Sequence, residues 1–285
     1  MARASPLAPG AGPCRPAGGA FRLRYSSFVM RDPTRRFSSR VDNYLRYRPS
    51  YPREILPWLV ETCGLAPGAE IADVGSGTGF LAELFLEAGY FVHGIEPNRE
   101  MREAGERHLA RYPRFVSVDG TAEATGLPTS SVELVSVGTA FHWFDRERTR
   151  AEFSRILGPG GQVVLVWNVR STSRSPLLQE YEALLRRFAP EYAEIHKEMS
   201  PEEQAAFFLA PTIRHGTFEN RQRFDFAGLR GRLLSSSYAP EAGQPGHEPL
   251  MDGLRALFDS HQVDGQVTFE YDTHVLAGQI RRGAA

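Results

Sequence analysis

Cysteine is scarce in this chain: Cys14 and Cys63 are the only two among 285 residues. Two thiols cannot build a disulfide framework or a cysteine zinc site. They suit a reducing cytosol, so the expected location is cytoplasmic. Lysine is scarcer still. Lys197 is the only one, so nearly all of the positive charge is arginine and chemistry that needs a lysine has one place to go. An excess of charge of either sign is also missing. The net charge of -1 offers no general pull toward nucleic acid or an anionic membrane. No apolar run reaches the ~20 residues that cross a bilayer.

What is present is a 41% hydrophobic fraction, enough for a sizeable core, in a length that fits one large domain or a domain with a lid. Residues 1–37 stand apart. Met1 to Ala20 is mostly Ala, Gly, Pro and Arg, and the first acidic residue is Asp32. Such a segment buries too little apolar surface to offset its ordering entropy, so a disordered extension is expected. An organelle transit peptide is the other reading, and an upstream start with Met30 as the working one a third.

From Ser38 the pattern becomes regular. Pro52 to Cys63 reads as a helix with Ile55, Leu56, Leu59 and Val60 on one face, disturbed by Pro57. Then come a strand at 70–74, a helix at 80–88, a strand at 90–95, a helix at 99–111, a strand at 114–118, and an apolar strand at 132–137 expected to be buried on both faces. A helix at 146–157 is expected to end at Gly158-Pro-Gly-Gly161, followed by a strand at 162–169. Alternation of strand and helix with short connections predicts a parallel sheet covered by helices. After Val169 it stops: helices are expected at 175–189, 201–209, 228–235 and 249–261, and strands at 214–226 and 267–275. The expected division is a core over 65–170 and a lid with the last strands over 171–285, within one domain spanning 38–285.

The apolar strand ending at Val74 runs into Gly75-Ser-Gly-Thr-Gly79, and a helix follows. Glycines let the backbone turn tightly and approach a ligand, and the helix start presents unpaired N–H groups. Such a turn serves dinucleotides, phosphates and adenosylmethionine alike. Two details narrow it. The spacing is G-x-G-x-G, where the dinucleotide fingerprint is G-x-G-x-x-G. Asp73 stands two residues before Gly75, where it can orient the loop and meet a cationic amino group. A carboxylate there suits a sulfonium and an ammonium better than a pyrophosphate. Glu96, at the end of the second strand and about 20 residues past the glycines, matches the acid that binds a ribose diol; alone it reads equally as a solvated acid at a helix start. It argues against a 2′-phosphate, hence against NADP.

Two further loops fall at the same edge. In Asp119-Gly-Thr-Ala-Glu123, Glu123 can accept from an adenine amino group and the Ala122 N–H can donate to a ring nitrogen; the alternative is an ordinary turn. In Gly138-Thr-Ala-Phe-His-Trp-Phe-Asp145, the aromatics can wall the place of reaction and favour a cation, or they can plug the core. His142 can be a general base or a buried structural histidine.

Taken in order, Val74-Gly-Ser-Gly-Thr-Gly79, Glu96-Pro97-Asn98, Gly120-Thr-Ala-Glu123, Phe141-His-Trp-Phe-Asp145 and Leu157-Gly-Pro-Gly-Gly161 resemble the motifs of class I methyltransferases. With Tyr44-Leu-Arg-Tyr-Arg-Pro-Ser-Tyr-Pro52 upstream, the chain resembles the branch that includes trans-aconitate methyltransferases. The resemblance is strong over about Ser38 to Val169. It implies a Rossmann-like, doubly wound α/β fold with a seven-stranded sheet, mostly parallel with an antiparallel last strand, and a helical lid. It implies S-adenosyl-L-methionine as cofactor, held by Gly75, Gly77 and Glu96, with the adenine near Met101, Ala122 and Glu123. Asp73, Ser76, Gly79, Pro97 and Thr139 complete the cofactor candidates. Tyr44, Arg46, Tyr47, Phe141 and Trp143 are the candidates for substrate or lid contact. No metal is expected. The motifs specify the cofactor and leave the acceptor, a small molecule with a carboxylate or hydroxyl, to the region after Ser171, where such enzymes differ. They specify no oligomeric state.

Two competing functions remain at this point. A nucleotide-dependent oxidoreductase is disfavoured by the glycine spacing. It is disfavoured also by Lys197, since the position four residues before it, where short-chain dehydrogenases need tyrosine, holds Ala193. A catalytically silent cofactor-binding protein is the other, because methyl transfer needs no fixed catalytic side chain.

Overall fold

The computed structural model describes residues 41–189, 192, 199–209 and 212–280. The expectations for residues 1–37 and for Lys197 lie outside them. Strands β1 (Glu70–Val74), β2 (Phe91–Ile95), β3 (Phe115–Val118), β4 (Val132–Gly138) and β5 (Leu157–Arg170) run parallel. The helices between them are α3 (Phe80–Glu87), α4 (Arg99–Leu109) and α5 (Arg146–Ile156). Before the sheet stand α1 (Val41–Tyr47) and α2 (Ile55–Cys63). After it come α6 (Pro176–Phe188), α7 (Pro201–Phe207), β6 (Arg214–Phe224), α8 (Phe226–Leu234), α9 (His247–His261) and β7 (Val267–Gly278).

Among the described residues the seven strands form one sheet in the order β3-β2-β1-β4-β5-β7-β6. The last strand, β7, lies between β5 and β6 and is antiparallel to both. The order reverses between β1 and β4, which opens a crevice at their carboxyl ends, where ligands of doubly wound sheets bind. Strand β1 is short, apolar and covered on both sides, as a central parallel strand must be. On one face Ile71, Leu134 and Val164 pack under Ile55 and Leu59 of α2 and Phe85 of α3. On the other, Ala72, Val135 and Leu165 pack against Phe153 and Ile156 of α5 and Phe207 of α7. A third core joins Tyr181 and Leu185 of α6, Leu233 of α8 and Leu254 of α9 to Phe224, Phe269 and Tyr271 of the last two strands. This is the helical layer expected after Val169. No described helix is long and apolar enough to cross a membrane.

Three local expectations are corrected. Helix α2 starts at Ile55, so Pro57 falls in the first turn, where its missing N–H had no partner to lose, and the helix is not disturbed. Val60 is 46% exposed; the inner face is carried by Ile55 and Leu59, one helical turn apart. Gly158 to Gly161 does not separate helix from strand. Strand β5 already begins at Leu157, pairs with Val132, and absorbs the glycines through a slip in register between Val132 and Leu134, with Gly160 at φ 77°.

Candidate active site

The turn after β1 is built from glycine because backbone and space both demand it. Gly75, Gly77 and Gly79 have φ of 68°, 57° and 88°. A Cβ on Gly75 would stand 2.7 Å from the Cβ of Ala140, and one on Gly79 would stand 2.5 Å from Leu109 Cδ1. The amides of Gly75 and Ser76 donate to the Ile95 carbonyl at 2.8 and 3.1 Å, so the end of β2 braces the turn.

Glu96 follows at once and does the same from its side chain. One carboxylate oxygen accepts from the Gly77 amide at 2.9 Å, the other from the Asn98 amide at 2.8 Å. Burial pushes the Glu96 carboxyl up, while these two N–H groups and Arg102 hold it back. Pro97 is half-buried beside it. Asn98 caps α4 by accepting from the Met101 amide at 2.9 Å. The Met101 side chain packs beneath Gly77, its Cε 3.3 Å from where a Cβ would stand.

Asp73 is 1% exposed. Its Oδ1 accepts from the Ser136 hydroxyl at 2.9 Å, and its Oδ2 is out of water with no partner. Burial raises the carboxyl to about 7, with the Ser136 hydroxyl and the Ala82 amide at the start of α3 pulling the other way. Asp73, Gly75, Gly77, Tyr51 and Thr139 line a notch of about 50 Å³. Thr139 holds its corner with φ 55°, its amide donating to the Val166 carbonyl at 2.9 Å and its hydroxyl 3.3 Å from that of Tyr51. An orphaned carboxylate oxygen beside a glycine-walled notch fits a ligand that brings an ammonium group, and adenosylmethionine brings one.

The notch adjoins a cavity of about 750 Å³, and Tyr44, Arg48, Thr139, Asn168 and Arg232 line both. His142 and Trp143 line the larger space, with their rings 4.6 Å apart, and Trp167 and His274 form part of its sheet wall. Arg170 lines it too, paired with Glu182 at 2.6 Å and donating to the Tyr192 hydroxyl at 2.7 Å.

The structure thus brings Asp73, Gly75, Ser76, Gly77, Glu96, Met101 and Thr139 around one turn, and sets Tyr44, His142 and Trp143 beside them. Gly79 closes the same turn and Pro97 stands next to Glu96, while Ala122, Glu123, Phe141, Arg46 and Tyr47 fall elsewhere. Ala122 is buried at the β3 edge. Glu123 accepts from the Asp145 amide at 3.0 Å and so ties its loop to the start of α5. Phe141 is 1% exposed in the core, edge-on to Phe207 at 4.8 Å. In α1, Arg46 is exposed and lines neither space, and Tyr47 packs against Gly231 of α8, where an added Cβ would overlap its ring. The arginine that reaches the site is Arg48, a helical turn after Tyr44, its guanidinium 5.0 Å from the Tyr44 ring centre. That i, i+4 spacing was the available signal. No local signal marks Tyr51, Asn168 or Arg232, which arrive through tertiary packing.

Residues 72–165 match the family described as Methyltransferase domain. An uncharacterised methyltransferase of Mycobacterium tuberculosis is 40% identical over 140 residues, covering 49% of this chain and 55% of that one. One of Schizosaccharomyces pombe is 29% identical over 154 residues, covering 54% and 60%. The chain therefore spans little more than half the length of these relatives. Among solved structures, an Anaeromyxobacter dehalogenans protein put forward as a type II methyltransferase superposes with a TM-score of 0.59 at 24% identity, covering 83% of this chain and 99% of its own. The YcgJ protein of Bacillus subtilis gives 0.50 at 20%, covering 82% and 100%. Strand order, glycine turn and family match together give the part of the chain that carries this site the likeness of a methyltransferase domain on the class I fold.

Proposed function

We propose that the chain binds S-adenosylmethionine at the carboxyl ends of β1, β2 and β4 and catalyses transfer of its methyl group to a small molecule held in the adjoining cavity. The observation that carries this reading is the unsatisfied, buried Asp73 Oδ2 on a notch walled by Gly75 and Gly77. Asp73 would take the amino group and Glu96 the ribose hydroxyls, keeping its loop-bracing bonds through the remaining lone pairs of its carboxylate. Ala122 and Glu123 would edge the adenine. Two carboxylates flanking the turn are unfavourable for a pyrophosphate, which speaks against a dinucleotide oxidoreductase.

When bound, adenosylmethionine supplies a methyl group on a sulfonium: the acceptor's lone pair forms the new bond to carbon, and the old C–S pair stays on sulfur as a neutral thioether. The protein's share is alignment and exclusion of water. Trp143 and Trp167 wall the cavity, and its volume of about 750 Å³ falls in the range of small-molecule sites. A carboxylate acceptor needs no base. A hydroxyl acceptor must lose a proton, and among the histidines that line the cavity, His142, His215 and His274, we assign that role to His142, which stands beside Thr139 where the notch opens. A cytoplasmic location accords with the cysteine content and with the Cys63 thiol, which burial pushes up to about 12 and so keeps unreactive.

Titration calorimetry tests the reading. Adenosylmethionine and adenosylhomocysteine should bind and NAD should not; tight NAD binding without adenosylmethionine binding overturns it. Transfer of label from methyl-labelled adenosylmethionine to a metabolite extract separates an enzyme from a silent binder.

A further inference from the structure

Four arginines line the cavity: Arg186 at its rim, exposed to solvent, and Arg48, Arg170 and Arg232 deeper in. Arg170 is answered within the fold by Glu182. Arg48 and Arg232 face no carboxylate among the described residues; both face the Tyr238 hydroxyl, which burial pushes up and the guanidinium groups of Arg170, Arg232 and Arg48 together push down. Arg232 is 3% exposed, and two of its donors reach neutral oxygens, the Tyr271 hydroxyl at 3.2 Å and the Ser236 hydroxyl at 3.2 Å. Arg48 donates to the Ser235 carbonyl at 3.1 Å, and its Nε is out of water with no acceptor. Among the described residues no carboxylate stands at ion-pair distance from either. Guanidinium does not escape burial by losing its proton, so a buried, unanswered one is costly. The two are close enough for the charge of Arg232 to add to burial in pushing Arg48 down.

A charge count shows what is missing. The count rests on the functional reading above. Adenosylmethionine brings a sulfonium, an ammonium and a carboxylate. Asp73 answers the ammonium, and the ligand's carboxylate can answer one guanidinium. One guanidinium and the sulfonium then remain where the buried Arg232 lines the notch. A neutral acceptor would leave both unanswered, whereas an oxyanion on the acceptor neutralises one of them and gains charge-assisted, two-pronged hydrogen bonds from a planar fork. We propose that Arg232, seconded by Arg48, is an oxyanion-binding subsite where the notch meets the cavity, and that the methyl acceptor carries a carboxylate or phosphate group seated there.

The test uses the full chain, with and without saturating adenosylhomocysteine. The probes are succinate, benzoate and phenyl phosphate, each set against its neutral counterpart: succinamide, benzamide and phenol. Binding is read by calorimetry and by the fluorescence of Trp143 and Trp167. At least one oxyanion should bind ten-fold or more tightly than its neutral counterpart. Arg232→Gln should weaken it at least ten-fold, several-fold more than it weakens adenosylhomocysteine, and Arg232→Lys should weaken it less. Should Arg232→Gln unfold, as its melting curve would reveal, Arg232→Lys and Arg48→Gln carry the comparison. Equal binding of oxyanions and neutral counterparts overturns the proposal. So does an Arg232→Gln variant that loses adenosylhomocysteine ten-fold yet keeps 5′-methylthioadenosine, which lacks the amino-acid carboxylate, because the arginine would then serve the cofactor. A chain that binds no adenosylhomocysteine overturns the functional reading instead, and the titrations without it still decide whether Arg232 holds an oxyanion.

Discussion

At the scale of single residues, Asp73 makes the sharpest demands. Its carboxyl is raised from a usual 3.8 to about 7, chiefly by burial. Between those values the native protein holds a proton that the unfolded chain has released. The stability this contributes is therefore complete below pH 4 and is lost as pH rises to 7. The denaturation free energy of the ligand-free protein should fall across that window, and Asp73→Asn should remove that part of the slope. A bound ammonium favours the ionised carboxylate instead. Adenosylmethionine affinity should accordingly strengthen as pH rises toward 7, with proton release visible in calorimetry across buffers of different ionisation enthalpy; a pH-independent affinity would separate Asp73 from the ligand. Asp73 was legible in the sequence by its place before Gly75. The state of its two oxygens was not, because that depends on Ser136 arriving from β4 and on how the start of α3 sits over the strand.

At the scale of elements, α5 pins the loop that follows β3. Glu152 on α5 accepts from the Thr125 amide at 2.8 Å and hydroxyl at 2.6 Å, and Arg155 grips both its oxygens at 2.7 Å. Arg155 first, then Thr125, holds the carboxyl down to about 2 against the opposing effect of burial. The stabilisation is present above the usual glutamate value and is lost as pH falls toward 2. Glu152→Gln should cost about 2 kcal/mol near neutral pH, the scale of hydrogen bonds to a charged group, and should flatten the acid limb of the stability profile. Urea titrations at pH 7 and 3 would show both. The same loop carries Ala122 and Glu123, so the variant should also loosen whatever they hold.

Helix α1 shows how far elements could be read in advance. The Tyr-Arg run at 44–48 marked the segment, but choosing between Arg46 and Arg48 needed the helix phase, which seven residues between undefined ends do not supply. Strands β1 and β4 were legible because central parallel strands are covered on both faces and so largely apolar, and β2, β3 and β5 by their alternation with helices. Strand β6 alternates exposed and half-buried residues because it lies at the sheet edge, and nothing local in it or in β7 says which lies next to β5.

For the whole molecule, ligand binding and folding are one equilibrium. The notch draws on β1, α1, β4, β5 and α8, elements spread from Tyr44 to Arg232, so a ligand there should stabilise the native state as a unit. Adenosylhomocysteine at one hundred times its dissociation constant should add about 2.7 kcal/mol, which for a domain of this size raises the melting temperature by roughly 5–10 °C. NAD at the same concentration should leave it unmoved in a thermal scan.

The position of β7 also sets a schedule. Ribosomes make chain at about 5–20 residues per second, and β6 emerges before β7, its one partner among the described strands. Until α8, α9 and then β7 have followed, β5 presents an open edge and the cavity lacks the wall that His274 and Val275 provide. The glycine turn and its acids can assemble during synthesis, while the chamber beside them closes only when the last strand slides between its neighbours. A nascent chain of this protein passes through an interval of several seconds in which the glycine turn is formed but the chamber is still open, and in which the gap in its sheet is the surface a chaperone would meet.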